Sequence, residues 1–96
     1  MDDTSGPTFE WDPQKAARNL RDHRVSFEEA LTAFADPLSV TVPDPDNSEG
    51  EERSLLVGAT ARGRTIVVCH VERGENIRII SARVATRPER RDYEEG

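Results

Sequence analysis

The stretch RSLLVGATARGRTIVVCHVERGENIRIISAR, residues 53–83, decides the fold of this 96-residue chain. It contains three runs rich in apolar and β-branched residues, at residues 53–60, 65–72 and 76–83. The connections ARGR and ERGE are short and each contains one glycine, which is typical of turns between adjacent strands. The pattern therefore predicts an antiparallel meander.

Two helices are predicted on the N-terminal side of this meander. The first begins at Asp12 and Pro13, because an aspartate caps the first amides and proline needs no donor there, and it ends near His23. Four residues are predicted to share one of its faces, namely Ala16, Ala17, Leu20 and His23. The second helix opens with a capping box of Ser26 and Glu29. Its apolar residues recur at helical spacing and are Phe27, Ala30, Leu31 and Phe34.

The remaining elements complete an α+β fold. Residues 8–11 form an edge strand, residues 38–42 alternate as a half-buried strand does, and PDPDNSEGEE at residues 43–52 is an exposed loop. A second capping box, Thr86 with Glu89, starts a short C-terminal helix. We therefore expect two N-terminal helices on one face of an antiparallel sheet of about four strands. Residues 1–8 are expected to be frayed, and residues 9–96 to form one domain.

Charge is distributed unevenly along the chain. Residues 1–50 carry 4 basic and 11 acidic side chains, net −7, whereas residues 51–96 carry 9 and 8, net +1. Six arginines lie between residues 73 and 91, and arginine binds phosphate oxygens two at a time. A net charge of −6 argues against nucleic-acid binding, but the basic C-terminal half is compatible with it. The alternative is a solvated basic face that pairs with acidic neighbours.

Cysteine usage and the N-terminal residues indicate a cytoplasmic protein. Cys69 is the only cysteine, so neither an internal disulfide nor a zinc site built on a CxxC pair is possible. Residues 1–7 contain no apolar stretch and resemble neither a signal peptide nor a membrane anchor. We expect a reducing cytosol.

The last strand of the meander carries two arginines. Simple alternation puts Ile77, Ile79, Ser81 and Arg83 on one face and Arg78, Ile80 and Ala82 on the other. Each face then mixes arginine with apolar residues, so one arginine must border a buried surface, where the low dielectric strengthens its attraction for an anion. Alternatively, the arginine extends to solvent or pairs with a carboxylate such as Glu10 or Glu29.

Several further residues are candidates for a site, each with a structural alternative. His23 can move a proton near neutral pH or simply end its helix, and His70 lies mid-strand, where a structural role is favoured. Tyr93 can stack on a base or anchor the last helix to the sheet. The other candidates are Lys15, the sole lysine, Glu52 and Arg53 at the junction of loop and strand, and Arg90 on the face of Tyr93.

Five strings of this sequence follow one another in a characteristic order, namely FEWDPQKAARNLRDHRVSFEEA (residues 9–30), FADP (34–37), GEER (50–53), IRIISAR (77–83) and ATRPERRDYEEG (85–96). Their order and spacing extend over nearly the whole chain from residue 9. In these strings the chain resembles the BrnT family. One departure is Arg24, where the related string has glycine.

The resemblance implies a RelE-like ribonuclease toxin of a type II toxin-antitoxin system. Such a toxin arrests translation and is neutralised by a BrnA antitoxin, which carries a ribbon-helix-helix DNA-binding domain, so that DNA is bound only through the antitoxin in a hetero-oligomer. No metal or other cofactor is expected, and no membrane is involved. The alternative function is a non-catalytic binding module that acts as co-repressor with the antitoxin.

For the ribonuclease, we expect Arg53 and Arg83 to hold the scissile phosphate. His23 or Lys15 transfers a proton, with Glu52 as a possible base. Flanking RNA is expected to contact Arg78, Arg90 and Tyr93. This interpretation requires that the guanidinium groups share one surface and are not each bound by an internal carboxylate.

Overall fold

The computed structural model describes residues 7–45 and 52–96, which form three helices and five strands. The strands are β1 (Thr8–Glu10), β2 (Val40–Pro43), β3 (Arg53–Ala59), β4 (Thr65–Arg73) and β5 (Asn76–Val84). The helices are α1 (Pro13–His23), α2 (Phe27–Phe34) and α3 (Arg87–Glu95). Each predicted element is present, most within one or two residues of its predicted limits.

The strands form one mixed sheet in the order β1-β5-β4-β3-β2. The meander from β2 to β5 is antiparallel throughout, as predicted. The prediction of a purely antiparallel sheet of about four strands was wrong at one edge, because β1 is a fifth strand that pairs parallel with β5. Thr8 pairs with Asn76 in this register, so β1 extends the meander on the side of its last strand.

The hydrophobic core lies between the sheet and helices α1 and α2. Its largest fully buried side chains are Phe27, Ile66, Ile79, Val25 and Val68. Aromatic rings close the end beside β1, where Phe9 packs edge to face on Phe34 and Trp11 on Phe27. His70 is also buried and its ring contacts Phe34, which is the structural role favoured from the sequence.

Helix α1 is anchored by a polar residue. Of the four residues predicted to share one face, Ala16 packs against the core, but the prediction was wrong for Ala17, Leu20 and His23. Leu20 is 50% exposed and His23 is exposed, whereas Asn19 is buried. The Asn19 amide donates to the carbonyls of Val25 (2.9 Å) and Ala82 (2.8 Å), and its oxygen accepts from the Ala82 amide (3.1 Å). These bonds fasten α1 to β5 and to the turn before α2.

Helix α2 has half of its predicted capping box. The Ser26 hydroxyl accepts the Glu29 amide at 2.9 Å, as expected. The Glu29 carboxylate does not return to Ser26 but accepts from Arg64 Nε (2.9 Å) and Thr60 Oγ1 (2.8 Å). The Arg64 hydrogen bond lowers the pKa of Glu29, so the buried carboxylate is ionised and paired.

The turn between α1 and α2 contains the residue that departs from the BrnT-like strings. Arg24 has left-handed backbone angles (φ 59, ψ 30), and its amide donates to the Leu20 carbonyl as the helix cap. The left-handed region favours glycine because it has no Cβ. Arg24 adopts it nevertheless, and its carbonyl accepts a hydrogen bond from Arg64 Nη2 at 2.9 Å.

Two of the predicted segments can be compared only in part. Residues 1–6 of the expected frayed terminus lie outside the described residues, and Thr8 belongs to β1 rather than to a frayed end. Residues 46–51 of the predicted acidic loop also lie outside them, and Pro43 is the last residue of β2. In the described parts of the chain, no helix is both long enough and apolar enough to cross a membrane.

Candidate active site

The sheet has two unlike faces. One carries the helical core, and the other, which we call the open face, is formed by the alternate residues of each strand. Along the centre of the open face run Val67, Cys69 and Val71 of β4, all less than 9% exposed. We call these three residues the floor, because side chains of the neighbouring strands rise around them.

A β-bulge decides which residues of β5 reach the open face. Cys69 pairs with Ser81, but the next residue of β4, His70, pairs with Ile79, so Ile80 is an extra residue in β5. The bulge reverses the alternation, and Ile79 and Ala82 both lie in the helical core. The predicted separation of Arg78 from Arg83 was therefore wrong: both lie on the open face, opposite Val71 and Val67 respectively.

Arg53 faces Arg78 across the floor. Both residues pair with Val71, one from each side. Neighbouring strands lie about 4.8 Å apart, which places the two Cα atoms about 10 Å apart. Arg83 lies opposite the residue of β4 that is four positions from Val71, so it is about 13 Å from Arg53 and Arg78 in the strand direction. The structure thus groups Arg53 with Arg78 at one end of the floor and places Arg83 at the other.

The Cys69 thiol lies between positive and negative groups. Burial and the charge of Asp44 raise its pKa, while the charges of Arg53 and Lys15 act in the opposite direction. Asp44 Oδ2 lies 3.8 Å from Cys69 Sγ. Both Lys15, from α1, and Arg53, from β3, are therefore near enough to act on the centre of the floor.

Lys15 and His23 border one cleft, which lies beside the part of β5 that is not paired with β1. The cleft has a volume of about 220 Å³ and its lining includes Arg18, Asp22 and Ser81. Ser81 is the residue that pairs with Cys69, so this cleft adjoins the floor at the β5 edge. The structure thus brings a lysine, a histidine and a hydroxyl group together near Arg83, two residues beyond Ser81.

Of the three arginines predicted for the site, two are paired with carboxylates. Arg83 donates from Nη1 (2.8 Å) and Nη2 (2.9 Å) to the two carboxylate oxygens of Glu89 on α3. Arg78 donates from Nη1 to Glu10 at 3.3 Å, which is one of the alternatives considered from the sequence. Among residues 7–45 and 52–96, no side chain forms an ion pair or hydrogen bond with Arg53, so within this part of the chain its guanidinium differs from those of Arg78 and Arg83.

Helix α3 leans over the open face and is held by polar contacts. None of its residues is buried. Besides the Glu89 pair, the Tyr93 hydroxyl donates a hydrogen bond to Asp36, which also accepts the amides of Leu38 (2.9 Å) and Ala59 (2.8 Å). The bond to Asp36 raises the pKa of Tyr93, so the phenol is protonated at neutral pH. Tyr93 also borders an apolar groove of about 340 Å³ whose other lining residues include Val42, Leu55 and Val57.

A sequence model described as the ribonuclease toxin BrnT of type II toxin-antitoxin systems matches residues 11–89. That range is most of the 96-residue chain. The chain belongs to the BrnT family. It is therefore a ribonuclease toxin of a type II system, with RNA as its substrate and an antitoxin as its partner. The matched range contains Arg53, Arg78 and Arg83.

A solved structure agrees with the BrnT fold. The chain is similar to the 1.1 Å crystal structure of the Brucella abortus ribonuclease toxin BrnT, with a TM-score of 0.58 and 22% sequence identity. The similarity covers 84% of this chain and 99% of the Brucella chain. Comparison with curated protein sequences finds no significant match.

The structure places most of the site residues predicted for this BrnT toxin on one side of the sheet, in separate groups. Arg53 and Arg78 lie at one end of the floor and Arg83 at the other. Lys15 and His23 border the cleft at the β5 edge, and Tyr93 lies above the face on α3. Two candidates are less close. Glu52 is exposed just before β3, and Arg90 borders a different depression with Arg64 and Glu94, away from the one that Tyr93 lines.

Three residues of the site were not predicted as functional from the sequence. Glu89 was interpreted only as half of a capping box and Asp36 was not singled out, yet they hold Arg83 and Tyr93. Asp44 was part of an exposed loop and lies beside Cys69. A signal existed for Glu89, because a carboxylate six residues after Arg83 can reach back to the strand. No local signal connects Asp36 with Tyr93, 57 residues away.

Proposed function

We propose that this toxin cleaves RNA on the open face by internal attack of a 2′-hydroxyl. The observation that supports this proposal is the bulge at Ile80, which puts Arg78 and Arg83 on the same face as Arg53. The 2′-oxygen forms a bond to phosphorus while the bond to the 5′-oxygen breaks, which leaves a cyclic phosphate and a free 5′-hydroxyl. The reaction consumes no metal ion or other cofactor, and we propose that none is needed.

In this proposal, Arg83 binds the scissile phosphate and stabilises the negative charge that develops on it. Arg53 was expected at the same phosphate, but it lies at the opposite end of the floor, beside Arg78. We therefore assign Arg53 and Arg78 to a neighbouring phosphate. The distance of about 10 Å between the Cα atoms of Arg53 and Arg78 suits two guanidinium groups that approach one phosphate from opposite sides.

The proton transfers are assigned to the cleft at the β5 edge. Cleavage needs one group to accept the 2′-hydroxyl proton and another to protonate the leaving 5′-oxygen. Lys15 and His23 border the same cleft, and Ser81 connects it to the floor near Arg83. Of these two, we propose His23 as the acceptor and Lys15 as the donor. Glu52 remains a candidate base, since it directly precedes Arg53.

Flanking RNA is assigned to Tyr93, whose ring stands beside the floor on α3. Arg90 lines the depression formed with Arg64, so it can contact only RNA that extends beyond the open face to that depression. We further propose that the toxin acts in the cytoplasm and that its antitoxin is BrnA-like.

Single-site variants expressed under an inducible promoter test this assignment. Arg83→Ala should reduce RNA cleavage by about 100-fold and relieve growth arrest, and Arg53→Ala by about 10-fold. Arg21→Ala is the matched control, because Arg21 is an exposed arginine on α1 that pairs with Asp22. The assignment fails if the first two variants fold normally and still cleave total bacterial RNA at the parental rate.

The chemistry has its own test. Cleaved RNA should end in a 2′,3′-cyclic phosphate and a 5′-hydroxyl, which can be read by susceptibility of the ends to kinase and phosphatase. Cleavage should proceed unchanged in EDTA. Ends with a 5′-phosphate, or complete loss of activity in EDTA that Mg²⁺ restores, would show a different, metal-assisted reaction.

A further inference from the structure

Glu89 occupies an unusual position for a capping residue. Its Oε1 accepts both the Thr86 amide, which completes the capping box, and Arg83 Nη1, each at 2.8 Å. Its Oε2 accepts Arg83 Nη2 at 2.9 Å, and its own amide donates to the Thr86 hydroxyl at 3.3 Å. The carboxylate is thus fixed by the first turn of α3 and in turn holds the guanidinium of Arg83.

The geometry leaves one edge of the Arg83 guanidinium available. A guanidinium has five N–H donors, and Glu89 takes one from each terminal nitrogen. A third is directed at the Val84 carbonyl, 3.4 Å from Nη1. The Nε–H and the second Nη2–H remain, and within the described residues no acceptor contacts them. These two donors lie side by side, which is the arrangement that binds two oxygens of one phosphate.

We infer that Glu89 is a positioning residue that holds Arg83 with its Nε–Nη2 edge open to the scissile phosphate. The inference rests on the proposed role of Arg83. Without a fixed carboxylate, a long arginine side chain on a sheet face samples many rotamers, and ordering it would oppose phosphate binding. With Glu89 in place, the side chain is ordered before RNA arrives, and this preorganisation favours the transition state.

Two other roles for Glu89 make different predictions. A general base must accept a proton near neutral pH, but the Arg83 bond lowers the pKa of Glu89 to about 2, which makes its carboxylate a poor proton acceptor. An inhibitory role would require Glu89 to occupy the edge that phosphate needs. It occupies the Nη1–Nη2 edge and leaves the adjacent Nε–Nη2 edge open, so carboxylate and phosphate can bind Arg83 at the same time.

The test is a double-mutant cycle on RNA cleavage. Glu89→Gln keeps an oxygen for the Thr86 amide but removes the charge that fixes Arg83, and it should lower kcat by about 10-fold with little change in KM. In an Arg83→Ala background, the same substitution should have almost no further effect, because there is no guanidinium left to orient. Single-turnover reactions with excess toxin, on an oligoribonucleotide that carries a mapped cleavage site, make the residual rates measurable.

Two control variants distinguish lost orientation of the Arg83 side chain from weaker anchoring of helix α3. Thr86→Ala removes the hydroxyl that caps the helix but leaves the Glu89 to Arg83 bonds in place, so cleavage should stay near the parental rate. Glu95→Gln removes an exposed negative charge from the same helix and should also be neutral. If Thr86→Ala lowers kcat as much as Glu89→Gln does, helix anchoring is the explanation and the inference is wrong.

The remaining outcomes are distinguishable. If Glu89→Gln is as active as the parent or more active, Glu89 does not position Arg83, although Arg83 can still bind phosphate. If the loss in Glu89→Gln persists in the Arg83→Ala background, Glu89 acts through another group. If Arg83→Ala itself cleaves normally, the proposed function fails first, and the inference fails with it.

Discussion

The two faces of the sheet are both buried along β4, but by different means. Ile66 and Val68 are covered by the apolar residues of α1 and α2. Val67, Cys69 and Val71 on the open face are nearly as inaccessible, yet their neighbours are arginines and the polar helix α3. The covered face therefore supplies the hydrophobic core that holds the fold together, whereas the open face is the one on which we propose that RNA binds.

The difference extends to the charged groups on each face. The covered face contains Glu29, whose side chain is 5% exposed and bonded to Arg64 and Thr60. The open face contains the Arg78 and Glu10 pair, in which each side chain is about one-third exposed. Charges on the covered face are structural and fully paired, while those on the open face stay accessible to solvent and to a ligand.

The largest expected effect is a loss of stability on substitution of a core residue of the covered face. Phe27→Ala removes a fully buried ring and should cost about 4 kcal/mol in the free energy of unfolding. Val42→Ala on the open face removes a side chain that is 44% exposed and should cost less than about 1 kcal/mol. Urea unfolding followed by circular dichroism measures both. Equal losses would mean that the open face contributes as much to stability as the core.

The next comparison concerns the ion pairs. Glu29→Gln leaves Arg64 without its charged partner and should destabilise the fold by about 2 kcal/mol. Glu10→Gln weakens a solvent-screened pair with Arg78 and should cost less than about 1 kcal/mol. The same unfolding measurement applies. A larger loss for Glu10→Gln would contradict the division between the two faces.

A smaller effect depends on pH. Burial lowers the pKa of His70 below its ordinary value of 6.5, so below pH 6.5 the unfolded chain binds a proton that the folded chain does not. Stability should therefore be complete above pH 6.5 and fall as the pH decreases from 6.5 towards 5. The lowered pKa values of Glu29 and Glu89 affect stability only below about pH 4.5, which keeps the two ranges apart.

Thermal unfolding between pH 7.5 and 5 checks this dependence. His70→Gln should abolish the slope of the melting temperature with pH in that range, because the residue no longer titrates. His23→Gln serves as the matched control, since it also removes one histidine but from an exposed position. A slope that survives in His70→Gln would assign the dependence to another group.

The smallest expected effect is on the open face. Tyr93→Phe removes the hydrogen bond to Asp36 and should cost less than about 1 kcal/mol in global stability. Because α3 has no buried residue, its local stability should fall more than that of the rest of the chain. Amide hydrogen exchange should accelerate in Arg87–Glu95 and stay unchanged in Phe27–Phe34. Uniform acceleration would mean that α3 is coupled to the core.

Features that depend on nearby residues could be predicted from the sequence. The Asp12 cap, the Thr86 and Glu89 capping box and the three runs of the meander all follow from short-range patterns. Each was placed correctly because the partners lie within a few residues of one another.

Features that depend on distant partners could not be predicted. The bulge at Ile80 arises from the register of β5 against β4, and it invalidated the alternation that separated Arg78 from Arg83. Asn19 was not predicted to be buried, because its partner, Ala82, is 63 residues away. In both cases the error concerned which side chains meet, and that depends on tertiary contacts rather than on local pattern.

The parallel pairing of β1 with β5 has a consequence for synthesis of the toxin. Glu10 can pair with Arg78, 68 residues later in the chain, only after β5 has been synthesised, because β1 and β5 are neighbours in the sheet. Contacts between such distant positions form late, after the local helices and hairpins. The ribosome must therefore have passed β5 before the surface on which we propose RNA cleavage can form.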